Sequence, residues 1–578
     1  MRAPRLPVAG RVGTALAVVA VLVGCAGVPE SSAPRIVEAI PRTGVTEEPD
    51  VRLQPSSPQP GQTPEEVVRA FVDAASSTDR RHGIARQFLT AGAAERWHDD
   101  AGATVLAKTP YFTLETSGSE LTIRGDQVGI VDATGAYTSY PPAGLSYSYR
   151  VTLSRVDGQW RITNPPSGVI MTASSFNQAY RRLNVYFVDR TESRVIPDPR
   201  WLSASRDALP NLLLKALLDG PSTSLADAVA TELGDGVSLA SNVVPETDRV
   251  RVFLSGLTDQ GTGALVAASA QIVWTLSQLG TAGVEIYDDG QLLAPPGVGA
   301  VQRLGDWRAY DPDSLALSTP GYFVRQGAVW TTDGKPTPGP AGRDTYQAQS
   351  VGVSRDLARL AVVGRIPHGV ALYVGPARGQ LVRRQTASSL TAPTWDPATG
   401  AAWTVRNGTD IIQVSSSGQP VRVKVQDLDR AERIGKIRLS PDGCRVALLV
   451  GPTGDQALYI GAVSRSESAV TALRPIVPRL TNVVDVAWAT AGSLVVLTRN
   501  GGSDATLWSV AVDGSSAEPT TSSGLPGPPS AVAAAPDQPT LAVSEGGIWR
   551  LHDPREGWTG VPPRSTGSVV VAAPTYPG

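Results

Sequence analysis

The 578-residue chain is poor in the residues from which catalytic and metal sites are usually built. It has two cysteines, Cys25 and Cys444, and four histidines that lie far apart in the sequence. Two cysteines are too few for the disulfide framework of a small secreted domain. No CxxC, HExxH, GxSxG, GxxxxGK[ST] or GxGxxG pattern occurs. We therefore predict that the protein is not an enzyme, with no catalytic residue, metal ligand or cofactor-binding residue.

An excess of charge of one sign is also missing. The chain has 51 Lys and Arg against 53 Asp and Glu, a net charge of −2. Without a basic excess the protein has no field that collects phosphate groups, so we expect no nucleic-acid partner. The length exceeds what one hydrophobic core serves, which predicts several domains. The 58 Gly and 47 Pro indicate many turns and short strands.

Long hydrophobic runs are scarce as well. After three arginines, the apolar run Val12–Val23 has twelve residues, whereas a span of the bilayer core needs about 20. The run leads into Leu22-Val23-Gly24-Cys25, which resembles the lipobox of bacterial lipoproteins. We predict that residues 1–24 are a signal peptide and that Cys25 carries S-diacylglycerol and an N-acyl chain. The alternative is an ordinary secretory signal with an incidental cysteine.

A second uncharged stretch runs from Gln260 to Val284. It is long enough to span a membrane. It nevertheless contains Gln271, Ser277, Gln278 and four glycines, and it lacks the density of Leu, Ile and Phe that insertion requires. We therefore predict a helix buried inside a globular domain.

Residues 25–62 are rich in Pro, Ser, Glu and Gln, which predicts a disordered stalk behind the lipid anchor. At Thr63 the pattern Thr-Pro-Glu-Glu predicts a capped helix start. A second helical stretch carrying Phe88 and Trp97 follows, and then antiparallel strands with a hairpin turn at Asp157-Gly158. This order of elements is similar to the NTF2-like α+β fold, which we assign to residues 63–175.

Residues 178–305 are expected to form an α/β domain. The predicted helices cover Leu209–Leu218, Ser224–Leu233 and Ala264–Leu279, and the predicted strands cover Leu183–Asp189, Val250–Leu254 and Val284–Tyr287. The Gly220-Pro221 pair would end the first helix. The phrases Ala216–Ser222 and Ala270–Leu276 are similar to the GerMN domain of envelope lipoproteins, a family that carries no catalytic residues.

Residues 311–578 contain a degenerate repeat of roughly 40–47 residues, the length of one four-stranded propeller blade. We predict an all-β propeller of six blades. Six tryptophans are expected at equivalent packing positions: Trp330, Trp395, Trp403, Trp488, Trp508 and Trp549.

Four aspartates recur near strand ends, namely Asp356, Asp396, Asp442 and Asp537. They could form a catalytic ring at a central channel, but Pro-Asp-Gly and Asp-Pro are turn sequences, which favours turn caps. Cys444 precedes an apolar run, which favours a buried, inert thiol.

A lipobox, an NTF2-like segment, a GerMN-like segment and a propeller, in this order, closely resemble the actinobacterial lipoprotein LpqB family. The resemblance implies a lipid-anchored protein on the extracytoplasmic face of the cell membrane. It also implies a partner, the extracytoplasmic domain of the sensor histidine kinase MtrB, and a regulatory role in envelope maintenance and cell division. Two alternatives remain at this point: an envelope hydrolase built on the propeller, and a passive envelope or peptidoglycan-binding lipoprotein.

Overall fold

The computed structural model describes residues 55–578 except 78–81, 117, 141–144, 204–205, 247, 259–260, 317–318, 416–417, 430, 501–503 and 563–570. The predicted signal peptide, the predicted lipidation site Cys25 and the stalk up to residue 54 lie outside the described residues. Among the helices that the structure describes, none has the length and apolar character needed to cross a bilayer. Residues Pro55–Gly578 pack as a single unit.

The first domain begins with the predicted capped helix, α1 (Pro64–Ala75). The Thr63 Oγ1 accepts a 3.3 Å hydrogen bond from the Glu66 amide, and the Glu66 carboxylate accepts a 2.7 Å bond from the Thr63 amide. These two bonds satisfy amides that have no partner inside the helix. The apolar face of α1, including Val67 and Phe71, is buried. The predicted capping box is therefore confirmed.

The second predicted helical stretch is divided into two short helices, α2 (Gly83–Arg86) and α3 (Ala91–Arg96). Thr90 caps α3 through its hydroxyl, so a new helix starts where the first could have continued. Phe88 and Trp97 therefore lie outside both helices, which corrects the prediction, although both side chains are buried.

The sheet of the first domain has the strand order β6-β5-β3-β1-β7, with β2 and β4 also paired to β3. Its strands are β1 (Gly102–Leu106), β2 (Tyr111–Leu114), β3 (Glu120–Asp132), β4 (Tyr137–Ser139), β5 (Leu145–Val156), β6 (Gln159–Ile162) and β7 (Val169–Thr172). The predicted hairpin joins β5 and β6, and both Asp157 (φ 51°) and Gly158 (φ 79°) adopt the left-handed conformation that this turn requires. One prediction is wrong: β1 and β7 are parallel, so the sheet is not wholly antiparallel.

Helix α4 (Ala173–Ala179) leads into the second domain, which contains two small sheets. Its strands are β8 (Arg181–Asp189), β9 (Val195–Leu202), β10 (Val229–Ala230), β11 (Ser238–Leu239), β12 (Val244–Pro245), β13 (Val250–Ser255), β14 (Val284–Asp288) and β15 (Gln291–Leu293). Helix α5 (Leu209–Leu218) ends before Gly220, whose φ of 93° reverses the chain as predicted. Helix α6 (Thr262–Ser277) covers the long uncharged stretch and is buried in the core of this domain.

The predicted helix Ser224–Leu233 is not formed. Residues 223–228 form turns, and Val229 and Ala230 then pair with Asp189 and Val188 of β8. The amide of Glu232 donates to the side chain of Gln271 on α6. Pairing with β8 and this contact with α6 hold the second half of the segment, from Val229, in an extended conformation, so tertiary contacts override its helical pattern.

Within the described residues, the chain from Tyr322 onward forms six sheets, numbered here in chain order. The first contains β16 (Tyr322–Arg325), β17 (Ala328–Thr331) and β39 (Val571–Thr575); the second contains β18 (Ala348–Val353), β19 (Arg359–Ile366), β20 (Gly369–Pro376) and β21 (Val382–Ala387). The third contains β22 (Thr394–Trp395), β23 (Ala402–Arg406), β24 (Asp410–Val414) and β25 (Val421–Arg422).

The fourth sheet contains β26 (Lys424–Val425), β27 (Ile434–Leu439), β28 (Arg445–Val450), β29 (Ala457–Ser464) and β30 (Ala469–Pro475). The fifth contains β31 (Val483–Thr490), β32 (Ser493–Asn500), β33 (Asp504–Ala511) and β34 (Ala517–Thr520), and the sixth contains β35 (Ala531–Ala533), β36 (Thr540–Ser544), β37 (Gly547–Leu551) and β38 (Thr559–Gly560).

The ring of sheets is closed by the pairing of β39 with β16, which joins the last strand of the chain to the first sheet. Consecutive sheets contact one another through their innermost strands, from β18 and β22 round to β35 and β39. Apolar clusters fill the spaces between them. Because the ring is closed, the first and last sheets also pack against each other, and neither leaves a face exposed to solvent.

Candidate functional site

The centre of the ring is where a propeller enzyme would place its substrate. The innermost strands converge there on a cavity of about 60 Å³, whose lining includes Asp313, Arg355, Arg438 and Trp488. Sites that hold small organic ligands are usually about 300–1,000 Å³. The central cavity is therefore too small for an organic substrate.

Two segments close this cavity. The linker from the second domain brings in Asp313, whose carboxylate accepts a 2.6 Å bond from the Ala491 amide, and Ser314, whose carbonyl accepts from Arg355. Gly578 bridges two inner strands, since its amide donates to the Val353 carbonyl at 3.0 Å and its carbonyl accepts from the Trp395 amide at 3.2 Å. The linker and residues 576–578 thus act as plugs.

Burial changes the pKa values of two charged groups at the linker plug, Asp313 and Arg355. Loss of water, reinforced by the nearby carboxylates of Asp442, Asp311 and Asp537, raises the pKa of Asp313 to about 7. Burial and the neighbouring Arg194 lower the pKa of Arg355 to about 10. In both cases the loss of water disfavours the charged form of the side chain. Such pKa shifts occur in buried structural contacts as well as in ligand sites.

Each of the four recurring aspartates lies in the connection between the innermost strand of its sheet and the next strand. The carboxylates of Asp356, Asp396 and Asp442 each accept the amide two residues further along the chain, at 3.1, 3.0 and 2.7 Å. Asp537 occupies a left-handed turn with φ 55°. Turn capping is confirmed for the first three. In the part of the chain that the structure describes, no group of three or more His, Cys, Asp or Glu could hold a metal ion.

The prediction that the tryptophans occupy equivalent positions is wrong. Trp395 and Trp488 lie on innermost strands, and Trp403 lies on a second strand. Trp508 and Trp549 lie on third strands, where they are partly exposed. The first three are nonetheless buried and pack between sheets, so their packing role stands.

Cys444 is a free, fully buried thiol, as predicted. Its Sγ lies 3.6 Å from the carbonyl of Ala228 in the second domain. Burial, aided by the negative charge of Asp442, raises the pKa of the thiol well above its ordinary value. A thiol whose pKa is raised remains protonated at neutral pH and is a poor nucleophile. Cys444 therefore belongs to the contact between the propeller and the second domain.

That contact centres on Asp513, which follows β33 in the fifth sheet. Its Oδ2 accepts bonds from Arg182 Nε at 3.0 Å and from Trp201 Nε1 at 3.2 Å, both in the second domain. Burial alone would raise the pKa of Asp513, but Arg182 and the two bonds from Ser515 outweigh it and the pKa is lowered. Asp513 is thus a buried, charged anchor between the domains.

The first domain joins the same junction. Arg200, which is 1% exposed, donates to the Asp198 carboxylate at 2.6 Å and to the Thr134 carbonyl of the first domain at 2.8 Å. The amide of Trp201 donates to the Gly135 carbonyl at 2.7 Å. The Ser139 hydroxyl accepts from the Val477 amide of the propeller. Polar bonds therefore tie each of the three domains to the other two.

Four residues of these contacts, Thr134, Gly135, Arg200 and Trp201, also line a cleft of about 820 Å³ between the first and second domains. Its walls carry both apolar and charged side chains, among them Met171, Leu212, Trp201, Asp99 and Lys215. The volume is within the range of ligand-binding clefts, and domain interfaces are common places for them. This cleft is the site best shaped to accept a ligand or a segment of a partner.

Nothing in the sequence pointed to the junction or to the cleft. Asp513 and its partners Arg182 and Trp201 are 331 and 312 residues apart. None of these residues belongs to a recognisable motif, and pairing over such separations leaves no periodic signal. By contrast, Asp356, Asp396 and Asp442 could be predicted as turn caps because each one accepts the amide two residues further along its own turn.

Family models match three consecutive parts of the chain. Residues 57–177 match "Lipoprotein LpqB, N-terminal domain", residues 184–294 match "Sporulation and spore germination", the Germane domain, and residues 321–577 match "Lipoprotein LpqB beta-propeller domain". A solved structure of TolB from Acinetobacter baumannii matches with a TM-score of 0.35 and 12% identity, over 59% of this chain and 98% of that one.

Relatives match over the whole length. Lipoprotein LpqB of Rhodococcus jostii is 31% identical, with 97% of each chain covered. Lipoprotein LpqB of Streptomyces coelicolor is 31% identical over 97% of this chain and 96% of its own. Lipoprotein LpqB of Mycobacterium bovis is 30% identical over 97% of this chain and 98% of its own. The chain, with its N-terminal, Germane and propeller domains, belongs to the LpqB lipoprotein family.

Proposed function

We propose that this protein is a lipid-anchored, non-enzymatic binding partner of the extracytoplasmic domain of the sensor histidine kinase MtrB. In that role it would modulate Mtr two-component signalling and, through it, envelope maintenance and cell division. The observation that carries the proposal is the similarity to lipoproteins LpqB over 97% of the chain. The order of domains in the match is the one on which the family resemblance rested, and that resemblance implies this role.

The architecture supports a binding role over an enzymatic one. The central cavity of about 60 Å³ is closed by Asp313 and Gly578, so the usual substrate position of a propeller is filled. The polar junction holds three domains in one arrangement, which suits a body that presents a fixed surface to a partner. Within this proposal the first domain is NTF2-like and the six sheets are the six blades of the propeller.

The predicted anchor supports the proposed location on the extracytoplasmic face. A lipid on Cys25 and a flexible stalk to residue 62 would tether the folded region to the membrane that also holds the kinase. For the 37 residues after Cys25, the r.m.s. span is roughly 30–35 Å. Two proteins held on one membrane face within such a distance have a raised effective concentration, so weak contacts suffice.

The anchor is tested by Cys25→Ser in the native host. We expect the variant to be secreted or unprocessed and to leave the detergent phase, because no thiol remains to carry diacylglycerol. Ala74→Ser, which leaves the lipobox intact, serves as the control for processing. A Cys25→Ser protein that is still cleaved and membrane-bound would show that the lipoprotein assignment is wrong.

The partner is tested by crosslinking in intact cells, followed by a binding measurement with the purified chain and the kinase's extracytoplasmic domain. We expect the kinase among the crosslinked proteins and a change in kinase output when the gene is deleted. Absence of binding together with unchanged output would favour a passive envelope lipoprotein. Hydrolysis of an envelope polymer by the purified chain would favour the hydrolase.

A further inference from the structure

One segment of the chain differs sharply in charge from the rest. The 39 residues from Leu357 to Trp395 contain five arginines, Arg359, Arg365, Arg378, Arg383 and Arg384, and no aspartate or glutamate. The chain as a whole has a net charge of −2. A local charge of +5 in a slightly acidic protein creates a positive field over one part of its surface.

The structure places this segment in the second sheet of the propeller. Arg359 has a packing role, since it donates to the Gly400 carbonyl at 3.1 Å and lies over the Trp395 ring. Arg365, Arg378 and Arg383 are exposed. Among the residues that the structure describes, no Asp or Glu forms an ion pair with any of these three. Their charge is therefore available to a partner.

The same sheet ends in an unusually open edge. Strand β21 is outermost, has six residues and carries Val382, which is 50% exposed. The outermost strands β17, β25, β34 and β38 have four, two, four and two residues. In the fourth sheet, β26 pairs with Ala469 and Val470 of the seven-residue strand β30, which leaves five residues of β30 uncovered. Strand β21 is thus the longest uncovered outer strand among the described residues of the propeller.

An open edge presents unpaired backbone N–H and C=O groups, to which an extended segment of another protein can add as a further strand. Arginines beside such an edge repel a second copy of the same strand and attract carboxylates. We propose that β21 is the docking edge for an extended segment rich in Asp and Glu on the partner protein. This inference rests on the proposed function, namely that the chain binds a sensor kinase.

The position of the edge favours a protein over the membrane as occupant. The sheets follow one another in chain order round the ring, and the first domain contacts the ring beside the fourth and fifth sheets, at Val477 and Gly514. The second sheet lies across the ring from that contact. The basic edge is therefore on the far side of the ring from the first domain, the domain that follows the predicted stalk in the chain.

The test measures binding of the mature chain in detergent to the immobilised extracytoplasmic domain of the kinase. We expect Arg383→Glu to weaken binding by about tenfold, because it replaces attraction by repulsion at the contact. Arg383→Lys, which keeps the charge, should stay within about twofold. The matched control is Arg150→Glu on β5, a 67% exposed strand arginine far from the edge. Arg378→Glu provides a second variant, outside any strand, in case Arg383→Glu is misfolded.

The outcomes separate the two proposals. If the wild-type chain does not bind the kinase domain, the proposed function fails and this inference fails with it. If the wild type binds and both edge variants bind equally well, the edge is wrong while the proposed function survives. If the edge variants lose only their sedimentation with phosphatidylglycerol vesicles, the edge is a membrane contact and the inference is overturned.

Discussion

The contacts between propeller sheets and the contacts between domains are built from different chemistry. Between the third and fourth sheets, Trp403, Ile437 and Leu448 are almost completely buried in an apolar cluster. At the junction of the three domains, charged side chains such as Arg200 and Asp513 are equally buried but make hydrogen bonds. Burial of apolar surface supplies most of the stability of a fold and does not depend on direction. Buried hydrogen bonds and ion pairs, by contrast, form only when their partners are in one particular geometry. Burial of apolar surface between the sheets therefore holds the propeller closed. Specific hydrogen bonds and ion pairs fix the orientation of the domains.

The largest effect is expected in the propeller. Leu448→Ala removes a fully buried side chain between two sheets and leaves a cavity. We expect a loss of about 3 kcal/mol in the free energy of unfolding. Urea denaturation followed by tryptophan fluorescence measures it, and Leu114→Ala, at a side chain that is 51% exposed, is the control. A change equal to that of the control would mean that the intersheet cluster does not carry the stability.

The next effect is at the junction. Asp513→Asn removes the charge that Arg182 and Trp201 contact. Because Arg182 is 29% exposed and can recover water, we expect a cost of about 2 kcal/mol, below that of a fully buried pair. Hydrogen exchange should increase in the second domain at Arg182 and Trp201 while the propeller strands remain protected. Asp410→Asn, in a more exposed cluster, is the control. Equal loss of protection throughout the chain would contradict separate roles for the two kinds of contact.

A third test uses pH on the linker plug. The pKa of Asp313 is raised to about 7 from an ordinary value of 3.8, so the folded protein binds a proton more tightly than the unfolded chain. Its contribution to stability is present below pH 4 and is lost as the pH rises through 7. Asp313→Asn should therefore gain stability relative to the wild type as the pH rises from 4 to 8. Melting temperatures across this range measure the difference. A wild type that gains stability relative to Asp313→Asn as the pH rises would refute the assignment.

The smallest effect is expected at the surface. Lys215 and Asp219 form an ion pair on α5 with side chains that are 66% and 54% exposed. Lys215→Gln should change the free energy of unfolding by less than about 0.5 kcal/mol, since water and salt screen the pair. Thermal denaturation at low and high salt checks this. A loss comparable to that of Asp513→Asn would remove the distinction between exposed and buried charges.

Local features could be predicted from the sequence because their causes lie within a few residues. The capping box at Thr63, the turn at Asp157-Gly158 and the end of α5 before Gly220 each depend on neighbours. The repeat also predicted the ring of sheets, since each sheet is one unit of the pattern. The prediction failed at Ser224–Leu233, where turns lead into a short strand held by β8 and α6, and at Phe88, where Thr90 starts a new helix.

The domain junction could not be predicted, for a physical reason. A partly buried ion pair such as Arg182 and Asp513 needs two polar residues that look like surface residues in the sequence. Only the packing of whole domains brings them together and removes water from them. The open edge of β21 is intermediate: its basic charge was present in the sequence, but its exposure depends on the lengths of the neighbouring outer strands.

The central claim, that polar contacts fix three domains as one body, is tested most directly by a distance measurement. Spin labels at Leu114→Cys in the first domain and Val421→Cys in the third sheet can be attached to residues 55–578, because both sites are exposed and Cys444 is buried. Pulsed electron paramagnetic resonance should give one narrow distance distribution for the otherwise unchanged chain and a broad one after Asp513→Asn. A distribution that is already broad before that substitution, or that stays equally narrow after it, would contradict the claim.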